Sequence, residues 1–207
     1  MPPMPQMSLS MRKGLLWTLL TVVVVGAGVA YYLYYSYYLP SELRIAATNG
    51  DLRRVDELLK AKVNVNQQLG LPSNSVLNRA VEGGNSEVVE AVLKAGADPN
   101  AVGETGMTAL MMAAFFGKPA IIEILLRHGA KKDLVEERHK NTALLIAVRK
   151  SHADVVKVLL KAGSDPNQGG EWGDAPLCRA RSIGQSDITA ALVEAGGKCT
   201  SSAQSSK

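Results

Sequence analysis

The chain is poor in the residues that usually carry chemistry. Its 207 residues include two cysteines, three histidines, two tryptophans and two phenylalanines. Cys178 and Cys199 are too few for a disulfide framework, and neither belongs to a C-x-x-C or Cys/His cluster, so no metal site is expected. His128, His139 and His152 fall at unrelated points of the chain's pattern. No G-x-S-x-G, H-E-x-x-H or phosphate-loop pattern occurs. Neither a catalytic centre, a cofactor site nor a small-molecule substrate is therefore expected. The carboxylate pair Glu136-Glu137 falls at a loop tip, where solvation is the ordinary role. A charged body is also lacking. Of 23 Lys and Arg, four (Arg12, Lys13, Lys198, Lys207) lie outside residues 41–197, which leaves 19 against 19 Asp and Glu. A neutral body offers no clustered basic face for a phosphate backbone, so nucleic acid is excluded as the expected partner.

One long hydrophobic run is present. After the Met/Pro/Ser-rich residues 1–13, which end in Arg12-Lys13, residues 14–39 carry no charge. A bilayer needs about 20 such residues. All six tyrosines fall in the last part, YYLYYSYYL, and tyrosine favours the headgroup zone. The expectation is a transmembrane signal-anchor ended by Pro40. A cleaved signal peptide is the alternative, with Gly28-Val29-Ala30 as a small-x-small site. Arg12 and Lys13 would hold the N-terminus in the cytoplasm and put the body on the extracytoplasmic side. No Asn-x-Ser/Thr acceptor occurs. For an exported protein this favours a bacterial source, with the body in the periplasm.

From Ser41 a repeat governs the chain. Leucines open one helix pattern at Leu43, Leu77, Leu110, Leu144 and Leu177, at spacings of 34, 33, 34 and 33. Gly50, Gly84, Gly117, Ser151 and Gly184 close it, and Lys62, Gly96, Gly129, Gly163 and Gly196 follow a second helix, both series at the same spacings. Thr108-Ala109-Leu110 with Ala113-Ala114-x-x-Gly117, Thr142-Ala143-Leu144, Ala175-Pro176-Leu177, Ala95-Gly96-Ala97-Asp98-Pro99-Asn100 and Ala162-Gly163-Ser164-Asp165-Pro166-Asn167 complete the pattern. This resembles an array of five ankyrin repeats. The fold expected is an all-α solenoid of helix-turn-helix units over residues 41–73, 74–106, 107–140, 141–173 and 174–197, with a disordered tail at 198–207. The family's His after T-P-L is replaced by Arg44, Asn78, Met111, Leu145 and Cys178, so its hydrogen bonds to the neighbouring loop should be lost or replaced by packing.

The resemblance implies a non-catalytic protein-binding module. Such arrays take partners on the concave side, through loop fingers and the exposed end of each first helix. Carried onto this sequence, those positions give Phe115, Phe116, Met107, Arg138, Arg149, Lys150 and Trp172, which include aromatic and arginine residues of the hot-spot type. The partner would be a membrane-proximal protein. A periplasmic inhibitor or immunity-type protein and a scaffold for membrane proteins are the alternatives. In an oxidising space Cys178 and Cys199 could form a bridge tying the tail to the last repeat; two free thiols are the other reading.

Overall fold

In a computed structural model of the chain, the described residues are 24–67, 75–103, 105–171 and 174–199. From Leu39 onward they form ten α-helices in five antiparallel pairs: α1 (Leu39–Asn49) with α2 (Leu52–Lys60), α3 (Val76–Gly83) with α4 (Ser86–Lys94), α5 (Ala109–Phe115) with α6 (Pro119–Arg127), α7 (Ala143–Arg149) with α8 (Ala153–Lys161), and α9 (Pro176–Ser182) with α10 (Ser186–Glu194). Among the described residues there is no strand, only an isolated bridge between Val102 and Thr108 in one finger. Each first helix packs on the next first helix and each second helix on the next second helix, which produces the two-layered stack of ankyrin repeats.

Local chemistry sets the helix ends. Ser75, Thr108 and Thr142 cap α3, α5 and α7 by accepting the backbone N–H three residues on. The ten repeat markers that close the helices all have positive φ. Eight are glycine, but Lys62 and Ser151 adopt the same left-handed conformation at φ 59° and 63°. The repeat therefore dictates this backbone even where the residue opposes it.

Packing follows the period. The five opening leucines and Ala46, Ala80, Ala113, Ala147 and Ala180 are buried. Small alanines let neighbouring first helices approach closely. The polar ends of the stack occupy opposite slots. Where the inner repeats bury Val88, Ile121 and Val155, repeat one has Arg54, which binds Glu42 and Glu57. Where they bury Val81, Ala114 and Val148, repeat five has the exposed Arg181. Each cap is thus polar only on the side that lacks a neighbour.

A second period runs along the finger turns. Asn66 Nδ2 donates to Gly96 O at 2.8 Å and its Oδ1 accepts Asp98 N–H at 3.0 Å. Asn100 repeats this with Gly129 and Lys131, and Asn167 with Gly196 and Lys198. Asp133 takes the place of asparagine in repeat three. It accepts Asp165 N–H at 3.3 Å, and as a carboxylate it has no N–H to return to Gly163. The slot of the missing family histidine is filled differently in each repeat. Asn78 donates to Met107 O at 3.3 Å, so one loop bond survives, while Met111 and Leu145 are buried by packing. Cys178 is joined to Cys199 by a disulfide with Cα atoms 4.9 Å apart.

The N-terminal segment corrects the localisation expected from sequence. Among the described residues, no helix is long and apolar enough to cross a membrane. Residues 1–23, including much of the apolar run, lie outside the described residues. Residues 24–33 are helical, pass through a π-turn at Tyr34–Tyr38, and continue directly into α1. The described part of the run, residues 24–39, is rich in tyrosine and runs on into the polar Glu42 and Arg44. The spanning anchor and the extracytoplasmic, periplasmic body that depended on it are therefore withdrawn. Pro40 does not end this helix either; it lies buried in the first turn of α1. Its missing N–H leaves the carbonyl of Ser36 without a helical donor. Gln67 Nε2 supplies one at 2.8 Å, so the helix stays continuous.

Candidate functional site

Among the described residues, a groove opens where the fingers and first helices of repeats three and four meet. Its volume is about 530 Å³. Thr105 and Met107 reach it from one finger, Phe115 from the end of α5, Glu136, Arg138, His139 and Asn141 from the next finger, and Ile146, Arg149 and Lys150 from α7. Five of the residues expected from sequence, Met107, Phe115, Arg138, Arg149 and Lys150, thus meet around one cavity. Phe116 stands beside it, with its ring 5.3 Å from that of Phe115 in an edge-on contact. Trp172 lies outside the described residues. Neither phenylalanine is buried between repeats; they are 39% and 38% exposed.

Each wall of the groove is held by a separate device. Phe115 is fixed through its backbone. His152, opening α8, places Nε2 3.1 Å from Phe115 O. That contact needs Gly117, since a Cβ there would stand 2.7 Å from the His152 ring, and its φ of +65° is in the left-handed region. On the other side Lys150 Nζ sits 4.1 Å above the Phe115 ring, a cation–π contact.

The second finger is organised by Glu136, and here the sequence reading needs correction. Glu136 is not a solvated tip residue; it is 5% exposed. Its carboxylate accepts the N–H groups of Arg138 and His139, both at 2.7 Å, and Asn141 Nδ2 at 3.0 Å. Burial pushes this carboxyl up, but the backbone hydrogen bonds outweigh it and hold the group below the usual range. The third device is Asp174. It receives Arg149 Nη2 at 2.8 Å and Arg179 Nη2 at 3.1 Å, which ties α7 to α9.

The carboxylates of Glu136 and Asp174 are committed to structure, and among the described residues no group of three or more His, Cys, Asp or Glu is placed to hold a metal ion. On the outer layer His128 Nε2 lies 3.2 Å from Glu90. That hydrogen bond holds the Glu90 carboxyl low against burial, with help from Arg127 and Lys94. The cluster braces α4 against α6. Sequence reasoning missed Glu136 and His152 as supports because each acts through a backbone partner fixed only by the stack. Gly117 was visible, but as a helix stop rather than as room for His152.

A helical repeat stack with a concave, side-chain-lined groove defines a binding protein of the solenoid class. Family models agree: ankyrin repeats (3 copies) match residues 43–136 and ankyrin repeats (many copies) match residues 125–180. Cyclin-dependent kinase 4 inhibitor B of Rattus norvegicus is 33% identical over 129 residues, which are 62% of this chain and 98% of that protein. Ankyrin repeat domain-containing protein SAT10 of Stachybotrys chartarum is 37% identical over 127 residues, 61% of this chain and 6% of that protein. Transient receptor potential cation channel subfamily A member 1 of Homo sapiens is 26% identical over 155 residues, 74% of this chain and 14% of that protein. The chain belongs to the ankyrin-repeat family. It spans a small part of the last two relatives and nearly all of the first. Ankyrin repeats mediate protein–protein interaction, and that is the class of function the fold defines.

Proposed function

We propose that this protein is a non-catalytic docking module that takes a protein partner in the groove between repeats three and four. The observation that carries the reading is the convergence there of Met107, Phe115, Arg138, Arg149 and Lys150 from two fingers and two helices. Phe115 is the anchor. It is partly exposed, yet held by His152, Gly117 and Lys150, so little ordering entropy is lost on binding. Phe116 belongs to the rim.

Site-specific photocrosslinking tests this. A benzoylphenylalanine in place of Phe115 or Arg138 should give a discrete protein adduct in cells. The same group in place of the exposed Glu123 or Lys157, on outer helices, should not. Equal adducts at all four positions would overturn the groove as the docking site.

A second reading, inhibition by sequestering an enzyme, is favoured by the relative covered almost end to end, cyclin-dependent kinase 4 inhibitor B. An array of this length is, in that protein, nearly the whole molecule. Titrating the purified chain into its captured partner separates the readings. Stoichiometric loss of the partner's activity supports an inhibitor, and unchanged activity supports plain docking.

A further inference from the structure

We infer that the occupant of this groove is an extended acidic peptide segment of a partner, with one aliphatic or aromatic side chain set between its carboxylates. This rests on the docking reading above and adds the chemistry of what docks. The groove has two kinds of surface. Met107, Phe115 and Ile146 give it an apolar floor. Arg138, Arg149 and Lys150 line it with cations. One carboxylate, Glu136, lies among the lining residues, and it is turned into its own loop to accept the N–H groups of Arg138 and His139. The next carboxylate, Asp174, is shared by Arg149 and Arg179. At the rim, Glu171 is 3.7 Å from His139 Nδ1.

The carboxylates of Glu136 and Asp174 are therefore spent on holding the groove, and the exposed Glu137 is not among its lining residues, while Arg138 and Lys150 are exposed at its edge. The lining thus sets three cations against one internally bonded carboxylate over an apolar floor, in a body that is neutral as a whole, 19 cations against 19 anions between residues 41 and 197. A basic or purely apolar segment would meet like charge or leave cations facing an uncharged surface. An acidic segment with a single apolar anchor satisfies both surfaces. The lining residues run from Thr105 in the finger before repeat three to Lys150 after α7, a path across helix ends and fingers that suits an extended chain.

Phage-displayed random nine-residue peptides, selected on the intact chain, test the proposal. Enrichment of Asp and Glu flanking a Leu, Ile, Phe or Trp is expected. A fluorescein-labelled selected peptide should bind at least tenfold more weakly to the R138Q/K150Q variant and lose most of its salt dependence, while the thermal midpoint stays unchanged. Its isostere with Asn and Gln in place of Asp and Glu should lose as much on the native chain. Selection of neutral or basic peptides that photocrosslink through position 115 would overturn the acidic ligand and leave the groove as the docking site. Selected peptides that crosslink only outside the groove would overturn both. Undiminished binding of the acidic peptide to R138Q/K150Q would overturn the assigned charge contacts.

Discussion

Two neighbouring junctions differ in a way that exposes how this array is built. Repeats two and three join through Asn100, which donates to Gly129 O and accepts Lys131 N–H. Repeats three and four join through Asp133, which only accepts. The same junction departs from the pattern twice more. Phe115 and Phe116 stand where the next repeat has Arg149 and Lys150, and Glu136 is buried in the finger. The first junction obeys the repeat. The second gives up a framework bond and gains a loop held by an internal carboxylate. Departures from a repeat thus cluster where the surface has something other than stacking to do.

The largest expected break is Glu136→Ala. It strands the N–H groups of Arg138 and His139 and should cost about 2–4 kcal/mol in urea unfolding, since hydrogen bonds to a buried charge are among the strong ones. The pH dependence sharpens this. The Glu136 carboxyl titrates lower in the folded chain than in the unfolded chain. Its stabilising effect is then fully present above the ordinary glutamate range, about 4.3, and is lost as pH falls through the depressed folded-state value. Glu136→Gln should flatten that acid limb, and an unchanged limb would mean the carboxylate is not what holds the finger.

Next comes the far end of the array. Converting both Cys178 and Cys199 to Ser should lower stability by about 3 kcal/mol, from the chain entropy released in a loop of 21-residue separation. Groove binding should be unaffected, because the bridge ties the tail to α9 and not to repeats three and four.

A reciprocal exchange tests the two junctions directly. Asp133→Asn supplies the absent donor and should add about 1 kcal/mol, while Asn100→Asp should remove about as much. Effects of the same sign would show that the turn ladder does not distinguish them. The smallest expected effect is at Lys62. Lys62→Gly relieves a left-handed backbone and should stabilise by about 0.5–1 kcal/mol, as the αL cost to an L-residue exceeds the extra freedom glycine has when unfolded.

Much of this was legible because repeats are read by period. The opening leucines, the glycine stops and the threonine caps are local features, and each recurs at 33 or 34 residues. Five groove residues were also visible by position alone. The supports were not. Glu136 reads as a surface acid until its loop closes on it, and His152 reads as an unattached imidazole until α8 packs beside Phe115 O. The N-terminal run misled for a different reason. Length and tyrosine content satisfied a membrane rule, but the helix does not stop at Pro40, because Gln67, on a finger 31 residues beyond Ser36, supplies the Ser36 carbonyl with the donor that proline lacks. Such compensation between distant residues has no signature in a local window.

The most direct test of the account is to measure partner binding and thermal unfolding together on one variant of the intact chain, Phe115→Ala with Arg138→Gln and Lys150→Gln. These side chains are exposed, and the contact between repeats among them, Lys150 over the Phe115 ring, lies within the set that is replaced. Binding should be lost while the midpoint moves by less than about 4 °C, the shift that about 1 kcal/mol produces in a domain of this size. Binding that persists in this variant, or that disappears only with a collapse of the midpoint, would contradict a groove specialised for docking on an otherwise regular stack.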